Sequence, residues 1–347
     1  MKHTKSYSFR KFLNDLHLWL GIASALVLFV VCLTGTIYTF KSEIQQFMGS
    51  DMYKVKELRS EKLSFEELKL SVEKSYESTV TRATITHGEK DPIVFSVAAK
   101  EKGSRGQNVY VNPYTGEVMG QGAGPGKDFF GVVFKLHRWL LLDAKIGRPI
   151  VGIATLIFVF LCISGLVLWF PKKLKGWKSI KPGFKIKMTR NWKRGHHDLH
   201  NTLGFYSLLL CLVMALTGLC WSFVWYKDTL SFVIGAKVFG GRGKNSLESK
   251  RIDESKSIGF NEALKVANAQ LNYEARKVTV SFPKDDKGVF EVGKNALDRW
   301  NETVFDKVYI DQYSGKVLKE ELHVNKRLSE KIAGSIKGLH LGDIYGI

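Results

Sequence analysis

Four histidines in this chain follow a leucine beside apolar sequence: His17 in "LHLW", His137 in "LHRW", His200 in "LHNT" and His340 in "LHLG". An imidazole at membrane depth is costly unless partnered, so a functional role is its first reading there. His17 is followed at fixed offsets by Gly21 and Thr34-Gly35, and His200 by Gly204 and Thr217-Gly218 at the same offsets. Zinc would want four clustered nitrogen or sulfur ligands, and a proton relay needs no repeated glycine. Haem calls for both features, a nitrogen for the iron and a missing side chain where a flat macrocycle lies. On a helix, a glycine four residues on lies one turn above its histidine, which places Gly21 and Gly204. Eighteen residues is five turns, about 27 Å, so Gly35 and Gly218 return to the same faces. Each is expected to clear room for a second haem. Helix contact through small residues is the plainer alternative.

The elements that carry these residues are apolar. Residues 21–40, 149–170 and 203–226 hold no charge and are long enough to cross a bilayer as helices. The first is too long for a signal-peptide core and lacks a small-residue cleavage site, so it is expected to remain as an anchor. All four cysteines lie inside these runs, which leaves no disulfide framework and no zinc motif. Net charge is +19. Residues 171–194 hold ten Lys/Arg and no acid, and residues 1–16 add +3. By the positive-inside rule both lie in the cytoplasm. The basic loop suits anionic lipid headgroups, and no nucleic-acid partner is expected of so short a tethered segment. Spans one and three then start in the cytoplasm, so His17 pairs with His200 there, and His137 pairs with His340 at the outer face. His196 and His197, in "RGHHDLH", are rivals for His200. Arg10, Lys11 and Arg194 are candidates for cytoplasmic propionates and Arg138 for outer ones, while His3, His87 and His323 read as solvated.

The chain also repeats. "YVNPYTGEV" (Tyr110 to Val118) matches "YIDQYSGKV" (Tyr309 to Val317), each a strand, a glycine-closed turn and a second strand. A helical pattern precedes each, from Ser64 and from Gly259. The expected fold is an integral membrane α-helical bundle carrying two small α+β modules outside the cytoplasm, built by internal duplication. Its boundaries read as a cytoplasmic N-terminus at 1–16, spans at 17–40, 149–170 and 195–226, and modules at 41–128 and 227–336. An apolar membrane-surface segment with His137 occupies 129–148, the basic loop 171–194, and the start of a further span 337–347. "GQGAGPGKD" departs from a phosphate loop at Gln121 and Asp128, and no dinucleotide fingerprint or nucleophilic arrangement is evident.

These motifs, with "DLHNTLGFYSLLLCLVMALTG" and "IKGLHLGDIYG", resemble the PepSY-associated transmembrane family and, within it, FoxB-like ferric-siderophore reductases of bacterial inner membranes. The resemblance spans nearly the whole chain. It implies four membrane helices, PepSY-like periplasmic modules and two bis-histidine haem b groups, with axial ligands His17 with His200 and His137 with His340. The fourth helix is expected beyond Ile347, and the outer haem would depend on it. The function so implied is a haem-dependent electron-transfer enzyme that reduces a periplasmic ferric siderophore. Its electrons would come from a donor on the cytoplasmic or membrane side. The competing class is a non-catalytic PepSY sensor or binding protein for a periplasmic peptide or protease, without haem.

Overall fold

The computed structural model describes residues 8–99, 106–173, 175–186, 191–240, 247–251, 256–299 and 301–344. His3 and the last three residues of the expected 337–347 span lie outside them. In chain order the helices are α1 (Phe9–Thr39), α2 (Lys41–Met48), α3 (Ser50–Tyr53), α4 (Phe65–Tyr76), α5 (Lys127–Trp139), α6 (Ala144–Trp169), α7 (Trp177–Ile180), α8 (Trp192–Ser222), α9 (Val224–Ile234), α10 (Phe260–Gln270) and α11 (Leu328–Leu341). The strands are β1 (Val80–Thr86), β2 (Ile93–Val97), β3 (Gln107–Val111), β4 (Val118–Gln121), β5 (Ala275–Ser281), β6 (Val289–Ala296), β7 (Asp306–Asp311) and β8 (Val317–Glu321). The chain divides into two units. One comprises Met1–Thr39, Gly131–Val238 and Leu339–Leu341, and the other Phe40–Phe130, Phe239–Gly338 and Gly342–Ile347.

In the first unit, α1, α6 and α8 are long and apolar enough to cross a membrane, and α6 packs against both others. Most of their buried positions are small or hydroxylic, among them Ser24 and Thr34 on α1, Gly152, Ala154 and Ser164 on α6, and Thr202, Ala215 and Thr217 on α8, with Leu13, Val151 and Leu219 the larger exceptions. Large apolar residues such as Leu26, Phe29, Leu209 and Leu210 face outward. That inversion suits lipid, where close backbone approach rather than water exclusion holds helices together.

The spans differ from their apolar runs at their ends. Helix α1 begins at Phe9, capped by Ser8 whose Oγ accepts from the Lys11 amide (3.3 Å), and its Arg10 donates to the carbonyls of Leu168 (2.6 Å) and Phe170 (2.7 Å) at the C-terminus of α6. Those carbonyls lack helical partners, so a cation there is doubly favoured. His17 is therefore two turns inside its helix. Within the expected 129–148 segment α5 ends at Trp139, and Leu140 and Leu141 reverse the chain with φ of 57° and 60°. Asp143 then caps α6 through the Lys145 amide (2.8 Å). The expected 195–226 span breaks after Ser222. Phe223 is extended there, and a Cβ on Gly152 would lie 2.6 Å from its ring. Part of the basic 171–194 loop folds back: Gly183 accepts from Trp169 Nε1 (3.3 Å) and Thr202 Oγ1 (3.2 Å), and Phe184 packs on Phe205.

In the second unit the two stretches expected as separate modules make one eight-stranded antiparallel sheet, ordered β4-β3-β2-β1-β5-β6-β7-β8. The join is β1 on β5, with Ala83 opposite Val280 and Ile85 opposite Val278. Helices α4 and α10 cover the same core. Phe65, Leu68 and Val72 meet Phe260, Ala263 and Ala267 over Phe95, Val109, Val280, Val292 and Val308, and the Phe65 and Phe260 rings stack. A module of four strands and one helix has little apolar area to bury, and sharing a core doubles it. The matched turns are alike in detail. Asn112 and Asp311 each accept from the amide two residues on (2.9 Å), and Gly116 and Gly315 close them with φ of 75° and 67°.

Candidate paired-histidine sites

The four leucine-preceded histidines come together in two pairs within the first unit. The His17 and His200 ring centroids are 6.4 Å apart with planes at 72°, and those of His137 and His340 are 6.1 Å apart at 51°. With metal–nitrogen bonds of about 2 Å and ring nitrogens about 1.2 Å from the centroid, two imidazoles facing across one metal have centroids about 6.3 Å apart. Among the described residues no group of three or more His, Cys, Asp or Glu is placed to hold a metal ion. A pair without a third protein ligand suits an iron whose four other ligands are a macrocycle's own. The four histidines thus fit haem better than they fit zinc.

Each element has a reason to place its histidine there. His17 and His200 sit on α1 and α8, which flank α6. The Nδ1 of His17 lies 2.8 Å from Ser164 Oγ on α6, and Gly165 beside it makes room, since a Cβ there would meet His17 Cε1 at 3.3 Å. His137 comes from α5, with Nδ1 2.9 Å from the Val31 carbonyl of α1. His340 comes from α11, with Nδ1 3.1 Å from both the Met214 carbonyl and Thr217 Oγ1 of α8. Hydrogen-bond partners of this kind orient an imidazole and fix which of its nitrogens is free.

The glycines divide into two kinds. A Cβ on Gly21 or Gly204 would have nothing within 4 Å, so space stands open one turn beyond His17 and His200. Gly35 and Gly218, expected to clear room for a second macrocycle, instead receive the imidazoles of the other pair. Their Cβ atoms would lie 3.0 Å from His137 Cε1 and from His340 Cε1. The spacing to the far end of each span was informative, but what fills that end is a histidine from a different helix.

Among the expected cations, Arg10 donates to the carbonyls ending α6. Arg194 lies 3.9 Å from Asp198 within its own helix. Arg138 stacks over Phe134 (5.5 Å) and Trp139 (5.6 Å) beside His137. The rivals of His200 are placed elsewhere: His196 packs edge-on against Trp192 at 4.0 Å, and His197 is exposed beside Asp198. His323 donates its backbone amide to Asp306 in the sheet unit, where burial alone would raise the carboxyl. The His323 amide, Tyr273 hydroxyl and Arg299 guanidinium together hold that group below its ordinary value.

Sequence reasoning missed Ser164, Gly165 and Trp221. The first two repeat the hydroxyl–glycine dipeptide of Thr34-Gly35 and Thr217-Gly218, a signal that was readable in "ISGLV". Trp221 lies with its ring 5.0 Å from that of His340.

A family model described as the PepSY-associated TM region matches residues 15–347. No curated protein matches the chain at a significant level.

Proposed function

The chain belongs to the PepSY-associated TM family, and from that premise we propose that it is a di-haem b electron-transfer protein of the bacterial inner membrane. In this reading it reduces a periplasmic ferric siderophore with electrons from the cytoplasmic or membrane side. The observation that carries the reading is the convergence of two histidine pairs at 6.4 and 6.1 Å, the separation expected across one iron. When bound, the haem groups supply one-electron chemistry.

The chain's own residues do the rest. His17 with His200 and His137 with His340 hold the two groups. The open space beside Gly21 and Gly204 admits a flat ring between α1 and α8. Ser164, Thr217 and the carbonyls of Val31 and Met214 keep Nδ1 occupied and leave Nε2 for iron. Arg138 supplies positive charge for a carboxylate beside the second pair. The basic N-terminus and 171–194 loop set the orientation, with the first pair towards the cytoplasm. Adding one electron to a ferric chelate weakens hard-oxygen ligation and so frees the metal. The sheet unit, held outside the cytoplasm by that topology, supplies the surface that meets the chelate.

An absorption spectrum of the protein purified with its lipid tests this. Soret and α bands of six-coordinate b haem at two haem per chain are expected, and ferric siderophore should reoxidise the reduced form. Absence of such bands would sink the reading.

A further inference from the structure

Three of the four histidines each sit against a glycine that follows a hydroxyl residue, and meet a hydroxyl, a carbonyl or both beside it. In every span a hydroxyl residue precedes a glycine: Thr34-Gly35, Ser164-Gly165 and Thr217-Gly218. Each glycine faces an imidazole from another helix, with the Cε1 atoms of His137, His17 and His340 lying 3.0, 3.3 and 3.0 Å from where a Cβ would stand. Helical side chains lean towards the N-terminus, so a side chain at one position covers the carbonyl one turn before it. Glycine leaves that carbonyl reachable. Val31 is four residues before Gly35 and Met214 four before Gly218, and these are the carbonyls that meet His137 and His340.

The hydroxyls add direction. Ser164 Oγ already donates to the Phe160 carbonyl (2.7 Å), and Thr217 Oγ1 to the Val213 carbonyl (2.7 Å). With its one proton committed, each oxygen can only accept from an imidazole. The bonded nitrogen must then be Nδ1–H, as it must be for His137 against a carbonyl. This leaves the lone pair on Nε2.

We infer that the three hydroxyl–glycine steps are copies of one imidazole seat, and that Ser164 and Thr217 are positioning residues. They fix the Nδ1–H tautomer of His17 and His340 and raise the basicity of Nε2. The inference rests on the haem reading for its effect on potential and on geometry alone for the tautomer. A more basic imidazole favours ferric iron, so losing an acceptor raises the potential. Ser164 is the one hydrogen-bond acceptor at His17 Nδ1 among the described residues, whereas His340 keeps the Met214 carbonyl when Thr217 is lost.

The test has two arms. In redox titration, Ser164→Ala should raise the potential of one haem and leave the other unmoved. Thr217→Val should raise the other by less, and Thr217→Ser should restore it. Thr36→Val is the control, since Thr36 bonds only the Cys32 carbonyl of its own helix. Unchanged potentials with both haems retained, or an equal shift in the control, would overturn the inference. In the second arm, nitrogen NMR of the 15N-histidine-labelled, haem-free chain should report Nδ1–H at His17, His137 and His340. An Nε2–H tautomer at His17 or His340 overturns the seat. If the wild-type chain binds no haem yet shows these tautomers, the haem reading fails and the seat stands. Should a variant fail to assemble, the wild-type tautomers decide alone.

Discussion

The two histidine pairs are built from the same two helices in opposite senses. At one end, α1 and α8 supply the imidazoles, His17 and His200, and leave open space at Gly21 and Gly204. At the other, the same helices supply no imidazole. They receive His137 and His340 from α5 and α11 through Gly35 and Gly218. A histidine and a receiving glycine eighteen residues apart, about 27 Å along a helix, let one span serve two histidine pairs. The pairs also differ in how firmly they are held. His137 and His340 are both hydrogen-bonded at Nδ1, whereas of the first pair only His17 has such a partner among the described residues.

The largest test of this division removes ligands. His17→Ala and His200→Ala should each abolish the same half of the haem absorbance, and His137→Ala and His340→Ala the other half. Difference spectra at matched protein concentration read this directly. Loss of one common signal in all four variants would break the pairing.

The glycines sharpen it next. Gly35→Ala puts a methyl 3.0 Å from His137 Cε1 and should displace that ring, lowering occupancy of the second site only. Gly21→Ala meets nothing in the haem-free chain and should stabilise it by up to about 1 kcal/mol through helix propensity. Gly204→Leu should lower haem content at the first site while raising the haem-free melting temperature slightly, for the same reason. Equal haem loss at both sites from Gly35→Ala would contradict the division of roles.

Much of this was legible because membrane helices constrain sequence strongly. The uncharged runs marked α1, α6 and α8, and the repeated offsets from His17 and His200 marked which residues share a face. Helix ends were less legible. Hydropathy reports the surrounding medium, whereas the first turn of α1 precedes the apolar run and holds Arg10 against the end of α6, a contact spanning more than 150 residues. The sheet was legible strand by strand through its turns, but nothing local in β1 or β5 announces that they pair with each other. Two modules and one shared sheet present the same alternation of apolar residues. Gly35 and Gly218 were identified for their place on the helix, while their occupant lay on another helix and could not be read from spacing along one.

The smallest expected effect separates the arginines. Arg10→Met keeps an aliphatic stem and removes the guanidinium that satisfies the Leu168 and Phe170 carbonyls. Those carbonyls lie four and six residues after Ser164, whose hydroxyl seats His17. Losing a charge-assisted bond near a helix end costs about 1–2 kcal/mol, so the melting temperature should fall modestly. The first haem should stay bound, because its ligands and the open space beside them are untouched. Arg138→Met should do the reverse. Its guanidinium lies over Phe134 and Trp139 and, among the described residues, bonds no carbonyl, so the haem-free chain should keep its stability while the second site binds haem more weakly. Haem retention during dilution, measured beside thermal unfolding of each variant, tells a structural cation from one that awaits a carboxylate.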